Sequence, residues 1–382
     1  MKGRIDCPNC GSRGIEEIYE ITDVPVNSVL LIHEREKSMN FPRGDICLMY
    51  CTKCSFIFNS KYDPSASIYS KEYEGTQSFS ATYNLFLIEL ADRLVKDLST
   101  HDKKILEIGC GQGEFLELLC MKGNNIGLGF DPAYRGDMTK EGIKLISDFY
   151  SEKHIDIESD LIVCKMTLEH IPEINRFVSM IRKNIGQNGT KVFFQVPNVE
   201  KILNDLAFWD IYYEHCSYFC ADSLLYLLES TGFRVINQWT GYNNQYLLIT
   251  AEPKNETENN LNINNSCRGK IDRFRKEIYL NIDKWKKFFN ENKDKTLIIW
   301  GGSSKAVAFI TTLGVEDEID LVVDVNPNKN NTFLPGTGHL VVNPPYLKEF
   351  PPDVLIIINP IYKDEIIIEL DRMKLNPKVI TA

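Results

Sequence analysis

Along the 382 residues the rhythm of apolar and polar positions changes from block to block. Residues 1 to about 75 carry short β-forming and proline-containing stretches with no long helical period. From about 80 to 252, apolar runs ending in glycine or polar turns alternate with segments whose apolar residues recur every three or four positions. That alternation predicts strands and helices of a parallel α/β sheet. The polar, Asn-rich KNETENNLNINNS (254–266) reads as a linker. IDRFRKEIYLNIDKWKKFFNEN (271–292) then spaces Ile, Phe, Leu and Trp at helical intervals, and TLIIWGGSSKAVAFITTLGV (296–315) predicts strand, glycine turn and helix. The expected division is 1–75, 76–253, a linker and helix over 254–294, and a second α/β unit over 295–382.

The strongest chemical signal is KKILEIGCGQGEFLELLCMKG (103–123). An apolar strand runs into Gly109, Gly111 and Gly113, and an amphipathic helix follows. Glycines keep such a turn tight and let backbone N–H groups approach a ligand at the helix start. A turn of this kind alone fits a dinucleotide site equally well. Glu107 just before it matches the E/D-x-G-x-G-x-G pattern of class I methyltransferases, where the acid helps anchor the cofactor's amino-acid end. Asp131 ends the next strand about 20 residues on, where an acid accepts ribose hydroxyls. GIKLISDFYSE (142–152) places Asp148 at a third strand end, the adenine-reading position of that class. SDLIVCKMTLEHIPEINRFVSMIRKNI (159–185) adds a strand, the turn at Lys165, Met166 and Thr167, and a helix expected from about Leu168. His170 in that turn reads as a brace for the loop beneath the cofactor. The cofactor set is thus Glu107, Gly109, Gly111, Gly113, Asp131, Asp148 and Met166, with S-adenosyl-L-methionine as the cofactor.

Five of the eleven cysteines fall before residue 55. CPNC (7–10) and CTKC (51–54) are Cys-x-x-Cys pairs, a spacing that turns two thiolates into one tetrahedral site. Cys7, Cys10, Cys51 and Cys54 are the expected ligands of a structural Zn2+, which would organise a segment too short for a large core. Cys47 lacks a partner at the right spacing.

The balance of charge is acidic, with a formal net charge of -10. That disfavours a general nucleic-acid partner, and no apolar run approaches the ~18 residues of a membrane span. MKGRIDCPNC opens the chain without the apolar stretch of a secretory signal, so the expected location is cytoplasmic.

LAFWDIYYEHCSYFCADSLLYLLESTGFRVINQ (206–238) crowds Phe208, Trp209, Tyr212, Tyr213, Tyr218 and Phe219 around Asp210, Glu214 and His215. Aromatic walls with a few charged groups describe a small-molecule pocket. Its second half predicts a helix capped near Asp222 and stopped by Gly232. Over nearly its whole length the chain resembles the sugar C-methyltransferase family, which methylates nucleotide-linked ketosugars. The family's Tyr-His-Glu-His-x-Ser-Tyr-Phe segment corresponds here to Tyr212 through Phe219, with Tyr213 in place of the first histidine. Two further departures are Gly75 in KEYEGTQSFS (71–80) and TGYNNQYLL (240–248) in place of a His-x-Gly-Gly-Ser stretch. The resemblance implies an α/β fold: a class I methyltransferase Rossmann-like core, a small N-terminal zinc-binding domain in front and a C-terminal Rossmann-like domain behind. It also implies His215 as the base that takes a proton beside the ketone, with Tyr212 and Glu214 positioning substrate or steadying the enolate. The substrate expected is a nucleotide sugar. O-methylation of a sugar hydroxyl, and a zinc-containing scaffold with a vestigial methyltransferase fold, stay open as alternatives. At the C-terminal unit, Gly301, Gly302, Ser303, Ser304 and Lys305 fit either a phosphate cradle or a ligand-free structural cap.

Overall fold

The computed structural model describes residues 5–66, 70–136, 141–186, 188–254 and 264–382. Most of the stretch read as a linker lies outside these residues. The chain first builds an antiparallel layer from β1 (Ile15–Pro25), β2 (Arg43–Cys51) and β3 (Ile57–Asn59), with the short helix α1 (Arg35–Met39) between β1 and β2. Helix α2 (Ala81–Leu98) follows, its Ser80 hydroxyl accepting from the Tyr83 N–H.

Next come β4 (Lys104–Ile108), α3 (Glu114–Gly123), β5 (Ile126–Phe130), β6 (Ile143–Ile146), β7 (Leu161–Lys165), α4 (Ile174–Ile185), β8 (Lys191–Pro197) and α5 (Val199–Asp205). The two-residue β9 (Ser217–Tyr218) returns to the first sheet, where Ile57 faces Tyr218 and Phe58 faces Ser217. Helix α6 (Ala221–Ser230), β10 (Phe233–Gly241) and β11 (Tyr246–Pro253) complete the central sheet, whose order is β10-β11-β8-β7-β4-β5-β6. Every neighbouring pair from β8 to β6 is parallel, and β11 runs antiparallel to both β8 and β10. This is the class I methyltransferase order, with its reversed strand next to the edge. The order turns back between β4 and β7, and ligands of open α/β sheets settle at the carboxyl ends of such strands.

Beyond α7 (Arg268–Glu291), strands β12 (Leu297–Trp300), β13 (Leu321–Val323), β14 (Thr332–Phe333), β15 (Leu340–Val342), β16 (Val354–Ile357) and β17 (Lys378–Thr381) form a third sheet. Helices α8 (Ser304–Leu313) and α9 (Lys363–Met373) flank it, and β12 is parallel to β13 and β16 as a second α/β unit requires.

The cores do not respect the three sheets. Tyr19 and Ile46 of the first sheet, Phe208 and Trp209 of the aromatic segment, Phe274 of α7 and Phe309 of α8 belong to one buried cluster. The Phe208 and Phe309 rings stack at 5.6 Å. Each such side chain contributes roughly 1.5–3 kcal/mol on burial, so the outer sheets are bound through the segment that carries His215.

Local chemistry shifted two expected features. Pro172 follows Ile171, so only a 3-10 turn forms at Leu168–His170 and α4 starts at Ile174. The cap of α6 is Cys220, whose N–H donates to the Ser223 hydroxyl, while the Asp222 carboxylate accepts from Ser266. Cys47 is buried with its sulfur toward Met49.

Candidate active site

A cavity of about 1140 Å³ opens at the carboxyl ends of the central strands and is closed over by the third sheet. One wall is local in sequence. β4 ends in Glu107 and passes through the glycine turn into α3. Gly111 has φ of 58° and opens onto the cavity; a Cβ there would meet nothing nearer than Glu114 Oε2 at 3.8 Å. Gly113 is glycine for another reason: its φ is 90° and an added Cβ would lie 2.6 Å from Leu145. At Gly109 a Cβ would overlap Thr167, so this glycine lets the two turns pack. Asp131 braces the turn, its Oδ2 accepting from Gly111 N–H at 2.8 Å and its Oδ1 from Ala133 N–H at 2.7 Å. A carboxylate accepts about four hydrogen bonds, which leaves roughly two sites for a ligand. Burial raises the Asp131 carboxyl.

Glu107 is 1% exposed, and its Oε2 has no hydrogen-bond partner among the described residues. Burial pushes its carboxyl up to about 8 against the pull of Lys165. Met166 sits in the left-handed region (φ 52°) beside this acid, tied to β8 by its N–H to the Gln195 carbonyl at 2.8 Å. An acid short of a partner, a second acid with lone pairs to spare and an open glycine turn fit a ligand carrying an ammonium group and vicinal hydroxyls. Asp148 is not brought to this wall. It stands two residues beyond β6 on the exposed rim, paired with Lys153 at 2.6 Å.

The opposite wall is assembled from distant segments. His215 is 5% exposed, with the Tyr212 ring 4.2 Å away and the His170 ring 4.9 Å away in edge-on contact. Burial holds His215 well below the ordinary histidine range, helped by His170 and Lys305, so its ring is neutral. Glu214 accepts from the Ser28 backbone N–H at 2.9 Å and hydroxyl at 2.6 Å, and burial raises its carboxyl to about 7. Tyr212, Glu214 and His215 all line the cavity. Tyr213 turns away from it: its hydroxyl accepts from Asp63 N–H at 2.9 Å and its ring leans on Tyr62. The departure at Tyr213 therefore touches the first sheet and leaves the cavity unchanged.

Two residues of this wall, Ser28 and Glu74, had no sequence signal, and the pairing of a third, Lys305, had none. Ser28 reaches it from the first sheet's loop. Glu74 is 3% exposed and ties three regions together, accepting from Arg135 at 2.8 Å and from Asn326 and Asn328 at 3.1 Å each. Lys305 lies against Asp210 of the aromatic segment, so the α8 turn faces the cavity through an ion pair. An acid and a lysine 95 positions apart offer no local pattern to find.

The four cysteines converge. Their sulfurs lie within 4.8 Å of one another, with Cys7 and Cys54 at 3.7 Å and Cys10 and Cys51 at 3.5 Å. Tetrahedral zinc with Zn–S bonds of ~2.3 Å sets sulfurs about 3.8 Å apart, so the cluster has the spacing and chemistry of a structural site. The knuckle docks on the central unit through Asn9, whose amide donates to the Ser223 carbonyl at 3.0 Å. No helix among the described residues is long and apolar enough to cross a membrane.

Residues 83–238 match a family described as a methyltransferase domain, and residues 247–379 match the C-methyltransferase C-terminal domain. The chain is 24% identical over 246 residues to the C-methyltransferase NovU of Streptomyces niveus, covering 62% of this chain and 57% of that protein. Among solved structures it resembles 1,6-didemethyltoxoflavin-N1-methyltransferase of Burkholderia thailandensis, solved with S-adenosylhomocysteine (12% identity, 46% of this chain, 82% of that one, TM-score 0.36). It also resembles an S-adenosylmethionine-dependent methyltransferase of Mesorhizobium loti (13% identity, 43% of this chain, 99% of that one, TM-score 0.33). The chain thus carries a methyltransferase domain followed by a C-methyltransferase C-terminal domain and preceded by the four-cysteine cluster, an arrangement similar to that of a C-methyltransferase.

Proposed function

We propose that this chain transfers a methyl group from S-adenosylmethionine to a small metabolite, and that the acceptor is a carbon of a nucleotide-linked ketosugar. The observation that carries the reading is the single cavity that has Glu107 and Asp131 on one wall and buried, neutral His215 on the other. Glu107 would hold the cofactor's ammonium group, Gly109, Gly111 and Met166 would surround its amino-acid end, and Asp131 would take the ribose hydroxyls. Gly113 shapes the turn. Asp148 would have to leave Lys153 to reach the adenine amino group. S-Adenosylmethionine supplies an electrophilic methyl carbon when bound.

The chain's own residues do the rest. His215 accepts the proton from the carbon beside the ketone, a task for a neutral imidazole with an open lone pair. Tyr212 fixes the ring's orientation by packing on it. Glu214, held by Ser28, carries a proton over part of the neutral range and can donate a hydrogen bond to the enolate oxygen. Zinc would be held by Cys7, Cys10, Cys51 and Cys54 and would be structural, because four thiolate ligands would leave it no open position for substrate. The C-methyltransferase relative favours carbon over oxygen as the acceptor.

Calorimetric titration with S-adenosylhomocysteine, followed by nucleotide sugars against the saturated complex, tests the reading. Binding of both, with a product whose mass fragmentation keeps the methyl on the sugar carbon skeleton, is the expected result. A folded protein that binds no S-adenosylhomocysteine would end it.

A further inference from the structure

Beside His215 lies an acid with no role so far. Glu169, in the 3-10 turn after β7, is 1% exposed, and neither carboxyl oxygen has a hydrogen-bond partner among the described residues. A Glu169 oxygen, a His170 ring nitrogen and a His215 ring nitrogen lie within 4.8 Å of one another. His170 Nδ1 is 3.0 Å from the Glu214 carbonyl. A carbonyl only accepts, so Nδ1 of the neutral ring carries the proton and Nε2 the lone pair.

A buried base that gains a proton becomes a buried cation, which is costly unless an opposite charge stands near. Lys305 and His170 make His215 harder to protonate. We propose that Glu169 is the counter-charge of this site: a positioning residue whose ionised carboxylate lets His215 hold the proton taken from substrate. The inference rests on the reading of His215 as a base. In that step the substrate C–H bond breaks, its proton goes to a His215 ring nitrogen, and the electron pair passes to the ketone oxygen as an enolate. Glu169 releases its own proton to solvent beforehand and forms no covalent bond.

Burial pushes Glu169 up to about 8, with Lys165 of β7 opposing. Cys164 of β7, Tyr73 of the inter-sheet loop and Tyr212 are all pushed well above their ordinary values, mainly by burial. Burial raises Cys216 to about 12. These four stay neutral through pH 8. From α8 comes the cation Lys305, and His170 is pushed down to about 4 by burial. Glu214, at about 7, and Glu107 across the cavity, at about 8, also ionise in this range, and a Glu169 variant separates Glu169 from both.

The experiment follows the imidazole nitrogens by long-range proton–nitrogen NMR in the full chain labelled at its six histidines. His215→Asn and His170→Asn assign the signals. In the unsubstituted protein the His215 signals should move with an inflection near pH 8, and Glu169→Gln should abolish it while the remaining histidine signals keep their folded positions. Absence of that inflection in the unsubstituted protein, or its survival in Glu169→Gln, overturns the proposal. Stoichiometric Mn2+ that broadens His170 and His215 in the unsubstituted protein but not in Glu169→Gln also overturns it, because the three groups would then be a cation site. Titration of the same samples with S-adenosylhomocysteine tests the methyltransferase reading separately, and its failure would leave the inflection to be judged alone.

Discussion

The two walls of the cavity were built by different rules. The Glu107–Asp131 wall comes from one continuous stretch, in which a strand, a glycine turn and a helix dictate where each backbone N–H points. The His215 wall comes from pieces of all three sheets, and its side chains are fixed by partners such as Ser28 and Lys305 that lie far away in sequence. A locally encoded wall should fail by losing ligand affinity. A wall assembled by packing should fail by losing turnover, or by losing the fold that assembles it.

The largest effect is expected from metal removal. Stripping the cysteine cluster with chelator, or Cys51→Ser, should release folding free energy on the order of 10 kcal/mol from the first sheet. Hydrogen exchange would register this as lost protection over β1–β3, with turnover lost alongside because Ser28 no longer holds Glu214. Retained protection and turnover would detach the His215 wall from the knuckle. Next in size, His215→Ala should cut turnover by about 10²–10⁴-fold while the Kd for S-adenosylhomocysteine changes less than about twofold. A matching loss of affinity would merge the two walls into one.

Asp131→Ala should act in the opposite sense, weakening S-adenosylhomocysteine binding by about 10–100-fold, since it removes charge-assisted bonds to the turn as well as to the ligand. Unchanged affinity would mean that the ribose contact lies elsewhere. The same wall carries a proton signature. Glu107, raised to about 8, is mostly protonated at pH 7 in the free protein and must ionise to receive an ammonium group. Binding should therefore release close to one proton at pH 7 and almost none by pH 9, read from calorimetry in buffers of different ionisation enthalpy. Proton uptake at pH 7 would reverse the sign and exclude Glu107 as the anchor. The smallest effect is expected at the seam between sheets. Glu365 accepts from Ser80 Oγ at 2.8 Å and from the Ala81 and Thr82 N–H groups at 3.2 Å, at the start of α2. Glu365→Gln should cost about 0.5–1 kcal/mol in thermal unfolding.

What could be read from the chain follows the same divide. The glycine turn, Glu107 and Asp131 were legible because their geometry depends on neighbours within about thirty residues and on backbone rules that glycine obeys. The cysteine pairs were legible because two residues of spacing constrain two sulfurs wherever the chain goes. Asp148 was placed by analogy of position, and β6 ends at Ile146, before the acid can face the cavity. Asp222 looked like a cap by residue type, but Cys220 and Ser223 satisfy that end of α6. Glu169 and His170 read as part of a loop, because nothing local says that His215 will come to rest beside them. Lys305 read as part of either a phosphate cradle or a ligand-free cap, because its partner Asp210 becomes visible only once the third sheet is packed.

Strand β9 adds a consequence for synthesis. It pairs with β3, yet 158 positions separate Asn59 from Ser217. At about 5–20 residues per second of translation, the β3 edge waits roughly 8–30 s for its partner to be made. For that interval the nascent chain presents unpaired strand backbone, the kind of edge that invites another chain. A knuckle that captures zinc early would keep the waiting sheet short and clamped, so metal supply during translation should govern how much of the protein is recovered in soluble form.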